Sequence, residues 1–113
     1  MTKGVLAAAD ELKKFNYDFG VIDLFRFKPF PETFFQDIVL SSSRLITIEE
    51  SCKTGGLGTA ISELIAQNDT SCKLKIIASP DKQFIEYGDR DWFHEVYNLS
   101  GSGLEDQIVR FSQ

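Results

Sequence analysis

Arg44-Leu-Ile-Thr-Ile-Glu-Glu-Ser-Cys-Lys-Thr-Gly-Gly-Leu-Gly-Thr-Ala-Ile-Ser-Glu-Leu-Ile-Ala66 changes its hydrophobic period halfway along. Residues Arg44 to Glu49 (RLITIE) are short, apolar and rich in β-branched side chains, the composition of a strand covered on both faces. From Gly58 to Gln67 the apolar residues Ile61, Leu64 and Ile65 recur at three- and four-residue spacing, which predicts a helix. Between them stands a glycine-rich turn. Strand, turn and helix in that order form the opening of a βαβ unit.

The same alternation extends in both directions. Val5, Ala8, Ala9, Leu12 and Phe15 share one face of a predicted helix over Thr2 to Lys14. Gly20 to Phe25 (GVIDLF) reads as another doubly covered strand. Pro29 and Pro31 end it and open a helix over Glu32 to Leu40. Leu74 to Ala78 (LKIIA) reads as a third strand, followed by a longer connection and a helix around Arg90 to Tyr97. A last helix is expected from Ser102, which stands at capping-box spacing from Glu105. Strands joined by helical crossovers run parallel, so the expected class is α/β, a three-layer α/β/α sandwich with a mostly parallel sheet. Three strands are few for it, and a chain that opens on a helix is expected to have an earlier strand under that helix.

With 113 residues, one domain over 1–113 and one core are expected, and the 42% hydrophobic content supports an ordered chain. Twelve Lys and Arg against seventeen Asp and Glu give a net charge of −5 without a basic cluster. That balance argues against nucleic acid and anionic membrane surfaces. No apolar run approaches the ~20 residues that span a bilayer, and the charged N-terminal helix does not read as a signal peptide. The expected location is cytoplasmic. Cys52 and Cys72 form no disulfide framework; on parallel neighbouring strands they belong at opposite ends of the sheet, too far apart to bond.

Several of these segments together resemble a known family. VIDLFRFKPFPE, then RLITIEESCKTGGLGTAISELIA, then FIEYGDRD look like the C-terminal domain of thiamine-diphosphate enzymes of the transketolase type, the 1-deoxy-D-xylulose 5-phosphate synthases foremost. The resemblance rests on Ile22-Asp23, Lys28-Pro29, Glu49-Glu50 and Thr54-Gly55-Gly56 with Gly58, and runs from about Gly4 to Phe111. It implies a structural and subunit-interface domain, not catalytic alone, of an enzyme that transfers two-carbon ketol or acyl units. Thiamine diphosphate and magnesium would be held by the remaining domains or subunits of a parent enzyme, in a homodimer. The family's domain has an upstream strand reading V-T-I-x-A-T-G inside its sheet, so the chain is expected to be a fragment of a longer enzyme. Left unpaired, the neighbouring strands would recruit other chains.

Read residue by residue, the chain has no complete active site, and no catalytic, cofactor-binding or metal-binding residue is assigned. Gly88-Asp89-Arg90 lacks the second glycine of a diphosphate-metal motif. His94 is the only histidine, and a packing or surface role is favoured. Glu49 and Glu50 point to opposite faces of a strand; one is expected to brace the following loop, the other to be solvated. Asp23 is expected to bond the next turn, and Cys52 to be an inert thiol. Phe25, Phe27, Phe30, Phe34 and Phe35 are expected mostly in the core, with some facing a partner. Thr54, Gly55, Gly56 and Gly58 begin a helix at a strand's carboxyl end, where amides and dipole suit an anion. They lack the lysine of a phosphate loop. The second function class is therefore a stand-alone regulatory module binding a phosphate-bearing metabolite at that turn.

Overall fold

Two parallel strands, β1 (Arg44–Cys52) and β2 (Lys73–Ser79), form the centre of the computed structural model, which describes residues 1–113. Their register pairs Arg44 with Lys73 and Ile48 with Ile77, and slips before Cys52 meets Ser79. Between them runs α3 (Leu57–Gln67), the crossover that a parallel pair requires. The remaining helices are α1 (Thr2–Lys13), α2 (Glu32–Ser41), α4 (Arg90–Val96) and α5 (Gly101–Ser112).

Side-chain alternation along the strands sorts the helices into two layers. Ile46, Ile48 and Ile77 meet a cluster built from Ala8 and Leu12 of α1, Leu99, and Leu104 and Ile108 of α5. On the other face Leu45 and Leu74 meet Phe35 and Val39 of α2 with Ile61 and Leu64 of α3. The expected α/β/α sandwich is therefore present, with helix pairs α1–α5 and α2–α3 enclosing the sheet.

The expected strand at Gly20–Phe25 is not one. Residues 18–29 exchange no backbone–backbone hydrogen bond with any other residue. The segment is irregular, although Phe19 packs against the α1–α5 cluster and Leu24 against the α2–α3 cluster. A strand is defined by its neighbour's donors and acceptors, and here no strand lies beside it. The aromatic expectation changes with it: of the five phenylalanines from Phe25 to Phe35, only Phe35 is buried, and Phe25 is 93% exposed.

The last helix also starts differently. Ser100 is its N-cap, with no side-chain cap bond, and Ser102 lies already inside the first turn. Gly101 adopts φ +56°, a conformation open to glycine, and the helix begins there, one residue before the expected Ser102. Cys52 and Cys72 are both free and stand at opposite ends of the strand pair.

Candidate functional site

The carboxyl end of β1 carries two adjacent glutamates, and alternation along the strand sends them to different tasks. Glu49 turns toward the start of α3. Its Oε2 accepts from the Leu57 amide at 2.8 Å and its Oε1 from the Gly58 amide at 2.9 Å. The Ser51 hydroxyl donates to the same carboxylate at 2.7 Å. The first amides of a helix lack intrahelical acceptors and carry the positive end of its dipole, so a carboxylate there is both bonded and electrostatically favoured.

The Thr54–Gly58 turn is shaped around that carboxylate. Gly55 adopts φ +78°, a conformation that glycine enters without a Cβ penalty. A Cβ on Gly56 would fall on the Glu49 carboxylate itself. The Gly55 amide donates to Thr59 Oγ1 at 3.0 Å, and the Thr54 hydroxyl donates to Asp81 beyond β2 at 3.0 Å. The structure thus brings Thr54, Gly55, Gly56 and Gly58 together at a strand's carboxyl end, and the anion at the helix start is the chain's own Glu49. Cys52 is exposed beside the turn, its thiol 3.7 Å from the Thr54 carbonyl.

One glutamate of the pair was expected to be solvated, and the structure corrects this, because Glu50 is engaged as well. Arg90 donates to both of its oxygens, through Nε at 3.0 Å and through a second, shorter contact from its terminal nitrogen. His94, on the same short helix, places Nε2 3.4 Å from Glu50 Oε1 and is only 8% exposed. The Arg90 guanidinium, and less strongly His94, hold the Glu50 carboxyl at about 2 against its ordinary 4.5. Asp23 does not bond the next turn either; it accepts from the Thr2 hydroxyl at 3.1 Å. Sequence separation hid both partners. Arg90 stands forty positions from Glu50, and no local pattern joins them.

The lowered carboxyl carries a pH consequence whose sign follows from linkage. The folded chain keeps Glu50 ionised where the unfolded chain protonates it, so the contribution is complete above 4.5 and is lost as pH falls toward about 2. Arg90 is largely exposed, so water screens the pair and the effect is at most ~1 kcal/mol. Urea titrations between pH 5 and pH 2 should show a shallower acid loss of stability in Glu50→Gln than in the wild-type chain. Parallel slopes would remove the pair from the account.

No group of three His, Cys, Asp or Glu stands close enough to hold a metal ion. Asp89, the acidic residue of Gly88-Asp89-Arg90, is engaged as the N-cap of α4, where its carboxylate accepts from the Trp92 amide at 2.8 Å. These residues do not fit a diphosphate–magnesium group. No helix is long and apolar enough to cross a membrane.

Against known proteins, the family described as "Transketolase, C-terminal domain" matches residues 1–103. The chain is 35% identical over 104 residues to 1-deoxy-D-xylulose-5-phosphate synthase of Listeria welshimeri, covering 91% of this chain and 16% of that protein. It is 32% identical over 109 residues to the synthase of that name from Dictyoglomus thermophilum, covering 96% of this chain and 18% of that protein. The corresponding protein of Aquifex aeolicus is 27% identical over 103 residues. The chain spans less than one fifth of the length of the relatives it matches.

Proposed function

The chain belongs to the transketolase C-terminal domain family, and from that premise we propose that it is the structural and subunit-interface domain of a larger thiamine-diphosphate-dependent enzyme. That parent, cytoplasmic and homodimeric in this reading, transfers two-carbon ketol or acyl units. Thiamine diphosphate and magnesium are held by its other domains or subunits. Thiamine diphosphate supplies the nucleophilic carbon of such transfers; the residues of this chain brace and position.

One observation carries the reading: the carboxylates at the end of β1 are spent internally. Glu49 closes the α3 start, and Glu50 ties β1 to α4 through Arg90 and His94. Groups used in this way lock a sheet end to its surrounding helices. The exposed phenylalanines of the 25–34 segment, Phe25, Phe27 and Phe34, supply the aromatic surface that a subunit contact uses.

Calorimetry separates this function from a stand-alone metabolite-binding module. Titration of the 113-residue chain with thiamine diphosphate and magnesium should give no saturable heat. Inorganic phosphate should also give none, because Glu49 already occupies the α3 amides. One-to-one binding of the cofactor would overturn the bracing role. One-to-one binding of phosphate, lost in a Gly56→Ala variant, would instead establish the regulatory module at Thr54–Gly58.

A further inference from the structure

Residues 80–89 (PDKQFIEYGD) join β2 to α4 without regular structure. From Asp81 to Gly88 the one backbone–backbone hydrogen bond is local, from the Lys82 amide to the Pro80 carbonyl at 2.9 Å. Backbone bonding therefore does not fix the path of this segment, and its side chains must. They do so at both ends. The Asp81 carboxylate accepts from the Thr54 hydroxyl, in the turn before α3, at 3.0 Å. At the other end Gly88 lies against the Trp92 ring of α4, where a Cβ would collide.

Between these anchors one cation makes three contacts. Lys82 Nζ donates to Glu86 Oε1 at 2.7 Å and stands 5.5 Å from the centre of the Phe84 ring and 5.3 Å from that of Tyr97. Phe84 in turn meets the rings of Phe93 and Tyr97 edge-on, at 5.0 and 5.3 Å between centroids. The Tyr97 hydroxyl donates to the same Glu86 oxygen at 3.4 Å. Glu86, and after it Tyr97, holds the Lys82 ammonium above its ordinary pKa, so the charge persists through the neutral range. A surface ion pair alone contributes little. Here the same ammonium also lies against two aromatic rings, which attract it. Loss of its charge removes all three contacts together and leaves only the ring contacts of Phe84.

We infer that residues 80–89 form a strap that the charge of Lys82 holds closed against Phe93 and Tyr97, and that opens locally when that charge is removed. Ile85 and Tyr87, 89% and 102% exposed, ride on the strap, so its closure fixes where these two large side chains stand. Opening uncovers Phe93 and Tyr97 and leaves the strand pair as it is. The inference is independent of the activity and cofactor proposed for the parent enzyme.

Brief chymotrypsin treatment of the 113-residue chain, read by mass spectrometry, is the test. Cleavage after Phe84 needs an open strap, and where opening is fast relative to cleavage its rate follows the open population. Cleavage after the exposed Phe25, in the irregular 18–29 segment, is the internal reference. The same ratio in the urea-unfolded chain corrects for the changed residue beside the cut. Lys82→Gln should raise the Phe84-to-Phe25 ratio about tenfold, whereas Lys82→Arg keeps the charge and should stay within about twofold of the wild type. A rise of less than about threefold in Lys82→Gln would overturn the inference, because the charge would then hold nothing. So would equal ratios in the Gln and Arg variants, which would make lysine packing the pin. A parallel rise of both cuts would do the same, since the whole chain would then be opening.

Discussion

Replacing Glu49 with alanine should lower the stability of the chain by about 2–3 kcal/mol, seen as a lower urea midpoint with an unchanged slope. The carboxylate is partly buried and serves three donors: the amides of Leu57 and Gly58 and the hydroxyl of Ser51. Alanine leaves both amides at the start of α3 without an acceptor. Hydrogen bonds to a charged group contribute about 1.5–3 kcal/mol, and loss of a helix cap about 1 kcal/mol. Those terms overlap here, because the carboxylate is the cap. Glu49→Gln keeps one acceptor oxygen and should recover about half of the loss. Glu50→Ala, one position along, should cost at most ~1 kcal/mol because its main partner is exposed. A loss below about 0.5 kcal/mol in Glu49→Ala would mean that water replaces the carboxylate and that the turn holds itself.

That asymmetry between neighbours marks how far sequence reasoning reaches. The period change between Ile48 and Ile61 placed strand and helix to within a few residues, because side-chain alternation is local. That one glutamate of the pair braces the following loop was legible from the same alternation, and the structure identifies it as Glu49. The partners of Glu50 were not. Arg90 reaches it only because α4 packs beside the end of β1, an outcome of the whole fold. His94, expected in a packing or surface role, is buried, and its place against Glu50 has no signature in the Phe93-His94-Glu95 run.

The GVIDLF segment shows the complementary limit. Its composition is that of a strand, yet a strand needs a neighbour that offers donors and acceptors in register. Residues 18–29 have none, and they stay irregular while Phe19 and Leu24 still anchor in the two cores. Propensity therefore reported what the segment can do, and pairing decided what it does. The misplaced start of α5 has a related cause. Ser102 and Glu105 have the spacing of a capping box, but the helix begins one residue earlier, at Gly101, with Ser100 as its N-cap.

Leu104→Ala should be the most damaging single core truncation on the α1–α5 side, lowering stability by about 3–4 kcal/mol. Leu104 has no exposed surface and sits among Ala8, Leu12, Ile77, Leu99 and Ile108, so it joins α1, α5 and β2 in one cluster. Truncation removes transfer free energy and leaves a cavity that three elements would have to move together to fill. Domain stabilities run about 5–15 kcal/mol, so the loss takes a large share of the total. Leu104→Met, which nearly conserves volume, should cost less than about 1.5 kcal/mol and separates packing from any effect on helix propensity. Urea unfolding followed by circular dichroism measures both variants. If alanine and methionine lowered the midpoint equally, the α1–α5 layer would not pack as a single core and the cluster would have to be redrawn.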